Sequence, residues 1–385
     1  MFSRLRQLTA ATLERPSKFT IDWVLFGAIL PLLGAGLVTM HSFLEDNRYF
    51  EKQLIWISVS LILFFIMSMI DFRLLRRTSV IVTLFAVSCS LLILVLLIGK
   101  TVKGAQSWFD LGFISFQPSD PIKLVLILLL AKYFSRRHIE IAHFRHILVS
   151  GLYTFIIFFL VLLQPDFGSA IIIFLVWLGM VLVSGISKKH LLVVFLVGLV
   201  AFGGLWAYGF KEYQKNRIKN FLHPLTDIRG SGYNAYQSMI AVGSGQILGK
   251  GIGYGTQSKL KFLPEYQTDF IFAAFAEEWG FGGVLLLFIL FGIVMWRIIQ
   301  AALLGATNFE ILFGAGLAIL LMSHFIVNVG MNVGLLPVTG TTIPFLSYGG
   351  THLLTTFLGL GILMGMRRYR RDAHKDSIKN EFLGP

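Results

Sequence analysis

The sequence predicts an all-α polytopic membrane protein with about ten transmembrane helices, both termini in the cytoplasm and one long extracytoplasmic loop between helices 7 and 8. Of the 385 residues, 56% are hydrophobic and only 14% are charged, which is more apolar surface than a soluble domain can bury. The apolar residues form long continuous runs, which indicate membrane helices rather than a β-barrel. Basic residues are abundant in alternate connections along the chain, which gives the orientation.

The apolar runs define ten candidate spans. Crossing a hydrocarbon core takes roughly 20 apolar residues, and only the fourth run is clearly short of that. The first run is too long for a signal peptide, and no cleavage site follows it. The chain therefore divides into a cytoplasmic segment 1–20, a transmembrane domain 21–366 and a basic cytoplasmic tail 367–385. The spans cover residues 21–40, 54–70, 79–99, 122–134, 147–164, 169–186, 190–210, 270–297, 309–331 and 347–366.

Lysine and arginine place both termini inside. With the N-terminus in the cytoplasm, the inner segments hold 20 of the 33 basic residues and the short outer loops hold four. Such an excess of basic residues marks the cytoplasmic side of a membrane protein. The net charge of +13 is therefore a signal of topology and of contact with anionic membrane lipids. It does not indicate a nucleic-acid partner.

The long extracytoplasmic loop, residues 211–268, contains a glycine-rich run from Gly243 to Gly255. It looks like a phosphate-binding loop but lacks that spacing, because Ser244 and Gly251 stand where a glycine and a hydroxyl residue are required. Two interpretations stay open. Its backbone donors, together with Arg217, could bind a lipid-linked pyrophosphate, or the glycines could serve only tight turns.

Ionisable residues within or at the rim of a span are costly and therefore mark candidate functional positions. Most of them lie at the predicted outer ends of the spans, so the sequence indicates work at the outer surface of the membrane. They are Asp120, Lys123, Asp166, Asp269, Glu277 and Glu278.

Asp269 opens the eighth span, with Thr268 as its expected cap. An acid at a helix N-terminus can simply complement the helix dipole. A stripe of small residues on the same helical face, formed by Ala273, Ala276 and Gly280, favours instead a cavity beneath the carboxylate. Glu277 lies two turns deeper and could line that cavity. Glu278 points elsewhere and is expected to make a structural contact.

The remaining candidates have structural explanations of equal weight. Asp120 and Lys123 are three residues apart, so they lie on one helical face and could form only a local ion pair. Asp166, in the turn QPDFGSA, could cap the sixth helix or contact substrate. Asn328 and Asn332 share a face and begin an uncharged, proline- and glycine-containing stretch that predicts a broken or re-entrant segment. No histidine pair has metal-binding spacing.

Five segments in chain order resemble the SEDS family of polytopic peptidoglycan glycosyltransferases. The chain is most similar to the elongation branch, RodA, and less similar to the division branch, FtsW. The segments are GAQSWFDLGFISFQPSD at 104–120, QPDFGSA at 164–170, GYNAYQSMIAVGSG at 232–245, GTQSKLKFLPEYQTDFIFAAFAEEWG at 255–280 and PVTGTTIPFLSYGGTH at 337–352.

The resemblance implies a multi-pass protein of the bacterial cytoplasmic (inner) membrane. It would polymerise lipid II into glycan strands on the outer face, for cell elongation and rod shape. The chemistry of joining a sugar hydroxyl to an anomeric carbon that bears pyrophosphate adds the hypothesis of inversion, with undecaprenyl pyrophosphate as leaving group. Asp269 would be the catalytic base. Asp120 stands where the family has a glutamate. The residues expected to bind substrate are Lys123, Asp120, Asp166, Arg217, Glu277 and Ser347.

The resemblance also implies partners. Those expected are lipid II, the nascent glycan strand, membrane lipids and a class B penicillin-binding protein, with Mg²⁺ or Mn²⁺ as a candidate cation. Three different functions stay open beside the elongation polymerase. A lipid II flippase would use the same intramembrane charges and broken helices, and the chain could also be a division polymerase like FtsW or a scaffold that only positions a synthase. The crowding of charges at the outer rim, rather than at the membrane midplane, favours the polymerase over the flippase.

Overall fold

The structure is a computed structural model that describes residues 21–42, 48–102, 105–110, 112, 115–135, 144–209, 212–222 and 232–382. The predicted cytoplasmic segment 1–20 lies outside the described residues. Within them, ten long helices follow the ten predicted apolar runs. They are α1 (Trp23–His41), α2 (Arg48–Met69), α3 (Thr78–Ile98), α4 (Ser119–Ser135), α5 (Phe144–Leu163), α6 (Phe167–Val183), α7 (Lys188–Gly204), α11 (Ile271–Leu303), α12 (Asn308–Asn332) and α13 (Gly350–Phe382).

The predicted loop between the seventh and eighth spans is partly helical. It contains α8 (Glu212–Leu222), α9 (Tyr233–Ser244) and α10 (Thr256–Lys259). By length and composition, six of the described helices can cross a membrane, and Phe167–Val183 and Lys189–Val200 are shorter apolar helices. The figure of ten spans therefore stays a prediction.

Helix α12 lies at the centre of the bundle and packs against α4, α6, α11 and α13. Glycines allow this close approach, because a Cβ at Gly314 would lie 2.4 Å from the Ala302 side chain and one at Gly316 would lie 2.6 Å from Ile127. In lipid there is no hydrophobic driving force between helices, so membrane helices associate through close van der Waals packing at small residues. The core on α12 includes Phe313 and Leu317, both fully buried.

A partly buried ion cluster joins three helices at the end of the bundle that the basic residues predict to be cytoplasmic. Asp22 caps α1 by accepting a hydrogen bond from the backbone N–H of Leu25 at 3.1 Å. The same carboxylate accepts from Arg297 of α11 at 2.6 Å and from Arg367 of α13 at 3.3 Å. A second ion pair joins Glu310, at the start of α12, to Arg76. The cluster fixes one end of α11 and gives a reference level for the rest of that helix.

Three short β-strands add to the predicted helices. β1 (Lys100–Val102), β2 (Ala105–Asp110) and β3 (Ser115–Phe116) form an antiparallel sheet in the order β1-β2-β3 between α3 and α4. Strands this short lack the alternating run that would reveal them in the sequence. The sheet lies against the turn that precedes α6, because the Gln106 N–H donates to the Gln164 carbonyl at 3.1 Å.

Candidate active site around Asp269

The turn before α11 positions Asp269. The backbone N–H groups of Thr268 and Phe270 both donate to the carbonyl of Glu265, at 3.1 Å each. Helix α11 begins at Ile271, and its N-cap is Phe270, whose side chain makes no capping hydrogen bond. The prediction that Thr268 caps this helix is therefore wrong: its hydroxyl donates backwards to the Glu265 carboxylate at 2.9 Å.

Three consecutive carbonyls in this turn are held by distant parts of the chain. The Gln267 carbonyl accepts from the Tyr348 N–H at 2.9 Å. The Thr268 carbonyl accepts from the Ser347 hydroxyl at 2.8 Å. The Asp269 carbonyl accepts from the side-chain amides of two asparagines of α12, at 3.0 and 3.1 Å. Because a buried carbonyl without a partner is costly, these bonds fix the backbone on which the Asp269 side chain is mounted.

Asn328 and Asn332 are those two asparagines, and both are fully buried. The Asn332 amide oxygen also accepts from the N–H of Ala273 at 3.2 Å, in the first turn of α11. It thus satisfies one of the donors that a helix start leaves unpaired, which a local capping side chain normally does. The sequence predicts that both asparagines share one face but does not identify their partners. The feature of the sequence that could have revealed this role is a pair of side-chain amides one helical turn apart in a stretch without charged residues.

Ser347 supports the turn from the other side. Its side chain accepts from the Ile343 N–H at 2.9 Å while donating to Thr268, and its own carbonyl accepts from Gln53 at 3.2 Å. The residue is buried. These contacts make Ser347 a support of the turn before α11, and a direct contact with substrate stays a prediction.

The Asp269 side chain is half-buried and faces the segment that follows α12. A Cβ at Gly340 would lie 3.5 Å from Asp269 Oδ2, and Gly340 has φ +72°, a conformation that favours glycine. The segment around Gly340 therefore passes directly beside the carboxylate.

The same segment connects Asp269 to Asp166. A Cβ at Gly168, in the first turn of α6, would lie 2.6 Å from the carbonyl of Thr339. Asp166 caps α6 by accepting from the Ser169 N–H at 3.0 Å, and its other oxygen accepts from Gln117 at 2.9 Å. The capping interpretation of Asp166 is confirmed, and its contact with substrate stays a prediction.

Asp120 and Lys123 form the local ion pair that their spacing suggests. Lys123 Nζ lies 3.0 Å from Asp120 Oδ1, and both residues are almost fully buried. The start of their helix contacts the start of α6, because the Ser119 and Ser169 hydroxyls are 3.3 Å apart. The structure thus gathers Asp120, Lys123 and Asp166 along one continuous set of contacts that reaches Asp269 through residues 339–340.

Two buried histidines next to this ion pair were not predicted from the sequence. His352 Nδ1 lies 4.0 Å from Asp120 Oδ1, and the rings of His352 and His324 are 4.4 Å apart. His324 Nδ1 lies 3.1 Å from the Thr342 carbonyl, which can only accept, so Nδ1 carries the proton. The histidines are 28 positions apart in sequence, and no local spacing reveals them.

Glu277 and Glu278 bind the glycine-rich run. Glu277 is fully buried and pairs with Lys250 at 2.7 Å. It also accepts from the Thr256 hydroxyl at 3.1 Å. Glu278 accepts from the Gly253 N–H at 2.8 Å, in accord with the structural contact expected for it. These bonds fix the run to α11, and a contact between Glu277 and substrate stays a prediction.

Arg217 lies on α8 and is half-buried. In the described part of the chain, no three His, Cys, Asp or Glu side chains are arranged to hold a metal ion. The candidate Mg²⁺ or Mn²⁺ stays a prediction.

Comparisons with known proteins agree with this architecture. Residues 18–372 match the FtsW/RodA/SpoVE family profile, described as "Cell cycle protein". The peptidoglycan glycosyltransferase MrdB of Escherichia coli K12 is 34% identical over 340 residues, which cover 88% of this chain and 91% of MrdB. The probable peptidoglycan glycosyltransferase FtsW of Haemophilus influenzae is 35% identical over 368 residues, 91% of each chain.

Solved structures give the same fold. RodA of Thermus thermophilus matches with a TM-score of 0.69 and 30% identity, covering 92% of this chain and 99% of that one. A chain from a structure described as "Structural coordination of polymerization and crosslinking by a peptidoglycan synthase complex" matches with a TM-score of 0.78 and 32% identity, covering 91% and 98%. The predicted class of polytopic helical membrane protein is confirmed.

Proposed function

Because the chain belongs to the FtsW/RodA/SpoVE family of cell cycle proteins, we propose that it polymerises lipid II into glycan strands, with Asp269 as general base. It is a multi-pass helical protein of the bacterial cytoplasmic membrane. The observation that carries the proposal is the mounting of Asp269. Two asparagines hold its carbonyl, a serine hydroxyl holds the carbonyl of the preceding Thr268, and its carboxylate lies beside the segment at Gly340.

The chemistry needs one carboxylate. The 4-hydroxyl of the acceptor sugar attacks the anomeric carbon of the donor, and the Asp269 carboxylate takes the hydroxyl proton. A new C–O bond forms while the bond to pyrophosphate breaks, and the electron pair leaves with undecaprenyl pyrophosphate. The leaving group needs neutralisation rather than a proton, so a second acid is not required. Attack from the face opposite the leaving group inverts the anomeric centre.

The pyrophosphate is assigned to basic side chains. Lys123 is the first candidate, because the start of its helix contacts the start of α6, which in turn contacts the segment at residues 339–340 beside Asp269. In the structure its charge is balanced by Asp120 at 3.0 Å. Substrate would have to draw the ammonium away from Asp120 or share it, and a charge-assisted bond to phosphate is strong enough to compete. Arg217 is the second candidate, and Asp166, Glu277 and Ser347 complete the proposed substrate-binding set.

Elongation is the cellular role we assign, with a class B penicillin-binding protein as partner. The RodA-like segments around residues 105–112 and 255–265 support the role, and the match to a chain of a peptidoglycan synthase complex supports the partner. Relatives named FtsW have similar identity, so division is the competing role. Depleting the protein in its own bacterium separates the two: rounded cells indicate elongation, and filaments indicate division.

A polymerisation assay tests the activity itself. Purified chain in vesicles is given lipid II, alone and with its penicillin-binding partner, and glycan strands are resolved by length. Strands formed by the chain support the proposal. Movement of lipid II between leaflets without any polymer would identify a flippase. Absence of both activities in folded protein, with or without partner, would leave the scaffold.

A further inference from the structure

Helix α11 is long and apolar enough to cross a membrane, and it is broken at Gly280. Gly280 has φ +64° and ψ −168°, far from helical values. A break of this kind removes the hydrogen bonds that would join the Glu277 carbonyl to the Phe281 N–H and the Glu278 carbonyl to the Gly282 N–H. In a hydrocarbon environment, each of these four groups needs another partner.

The glycine-rich run supplies all four partners. The Lys250 N–H donates to the Glu277 carbonyl and the Gly251 N–H to the Glu278 carbonyl, both at 3.0 Å. On the other side of the break, the N–H of Phe281 donates to the Gln246 carbonyl at 2.8 Å and that of Gly282 to the Ile247 carbonyl at 3.0 Å. Residues 246–251 are thus inserted into the hydrogen-bond ladder of α11 and complete it. We call these residues the inserted loop.

The backbone of the inserted loop packs directly against the backbone of α11, so two positions have no room for a side chain and are glycine. A Cβ at Gly249 would lie 2.1 Å from the Glu278 carbonyl, and one at Gly280 would lie 2.2 Å from the Gly249 nitrogen. Both residues also have positive φ. The two glycines are therefore required by close approach as well as by conformation.

The depth of the insertion follows from the rise of α11. The guanidinium of Arg297 belongs to the ion cluster with Asp22, at the end of the bundle predicted to be cytoplasmic. Gly282 lies 15 positions before Arg297. At 1.5 Å per residue that is about 22 Å, within a hydrocarbon core of about 30 Å. With Arg297 placed at the inner boundary, the same rise over the 20 positions from Glu277 to Arg297 puts the Glu277–Lys250 pair near the outer boundary of that core. The inserted loop therefore reaches roughly 8 Å below the boundary.

The tip of the inserted loop is apolar and exposed. Ile247 is 71% exposed and Leu248 is 89% exposed. The surface continues onto the outward face of α11, where Phe281 and Leu285 are also exposed. An exposed apolar tip at this depth, continuous with a lipid-facing helix, matches hydrocarbon chains and not water.

We propose that residues 246–251 form a re-entrant loop that inserts Ile247 and Leu248 among the lipid chains of the outer leaflet while holding the break in α11. The loop then acts as a contact between membrane lipid and the helix that starts directly after Asp269. It is independent of the chemistry assigned to that residue.

Quenching of a site-specific fluorophore tests the depth. In a Cys89→Ser background, which removes the single cysteine, the probe is attached at Leu248→Cys and the protein is placed in vesicles. Lipids with a quencher high in the acyl chain compete with aqueous iodide. Ile289→Cys, an exposed α11 position deeper in the membrane, is the lipid control, and Lys259→Cys, exposed on α10, is the aqueous control.

The inserted loop predicts quenching of the Leu248 probe by lipid and protection from iodide. Iodide quenching equal to that at Lys259 would overturn the proposal. Shielding from both quenchers would also overturn it, because protein and not lipid would then cover the tip.

A matched pair of glycine variants tests the insertion. Gly249→Ala should push the loop out and transfer the Leu248 probe from lipid to iodide quenching. Gly253→Ala carries the same positive φ, +79°, but its Cβ would meet nothing closer than 3.4 Å, so lipid quenching should persist. Equal behaviour of the two variants would refute the role of the close approach. Should Gly249→Ala not fold, the depth measurement on the unaltered loop still decides the proposal.

Discussion

Replacing Asn332 by leucine should slow polymerisation by about 5- to 100-fold. The side chain is fully buried, and leucine removes its bonds to the Asp269 carbonyl and the Ala273 N–H, at 3.1 and 3.2 Å. Side-chain hydrogen bonds between membrane helices contribute about 0.6 to 1.7 kcal/mol each. Two of them amount to about 1 to 3 kcal/mol, and each 1.4 kcal/mol lost from transition-state positioning is about tenfold in rate.

The assay is the rate of glycan synthesis from lipid II by purified Asn332→Leu, with thermal unfolding measured in the same detergent. Asn308→Leu is the matched control, because Asn308 lies on the same helix, is exposed, and stands 24 positions away. We expect a wild-type rate for the control. A wild-type rate for folded Asn332→Leu would refute the conclusion that this amide positions Asp269.

Three further substitutions probe the rest of the site. Ser347→Ala leaves the Thr268 carbonyl and the Ile343 N–H without their partner. The lost hydrogen bonds cost about 1 to 2 kcal/mol, so the polymerisation rate should fall about tenfold. An unchanged rate would contradict the supporting role. Lys123→Met should lower the unfolding free energy by about 3 to 5 kcal/mol, because it leaves the buried Asp120 charge unpaired. The double variant Lys123→Met, Asp120→Asn should regain thermal stability but not activity. If the double variant is as unstable as the single one, the ion pair is not what the single change breaks. Gly168→Ala should impair activity, because the new Cβ would lie 2.6 Å from the Thr339 carbonyl and move that residue. Gly27→Ala is the control and should keep normal activity, because nothing lies within 4 Å of its Cβ. Equal rates for the two variants would refute the role of the Gly168–Thr339 contact.

Local pattern was sufficient for the helices of this chain. Each predicted apolar run is occupied by a long described helix, because hydropathy over about 20 residues is a property of neighbouring positions. Family membership was likewise accessible, since the five quoted segments carry it and the family profile matches. The small sheet at residues 100–116 was missed, because its strands are too short to show a period.

The supports of Asp269 depend on residues far away in the sequence. The first turn of α11 is capped by Asn332, 59 positions beyond Ala273, so the local pattern predicts the wrong cap, Thr268. Glu277 and Glu278 were identified as intramembrane acids, but their partners come from a loop whose glycines can be explained only once Gly280 is known to be non-helical. Pairings of this kind are tertiary, and no local spacing predicts them.

The central claim is that Asp269 takes the acceptor proton, and substituting its carboxylate tests this most directly. Asp269→Asn keeps the size of the side chain and removes the base. Lipid II polymerisation by the purified variant with its partner is compared with wild type and with Asp110→Asn, an exposed acid in the outer sheet. We predict a loss of roughly 100-fold or more for Asp269→Asn, with lipid II binding and thermal stability retained, and a normal rate for Asp110→Asn. Glycan strands of near-normal length and rate from Asp269→Asn would contradict the account.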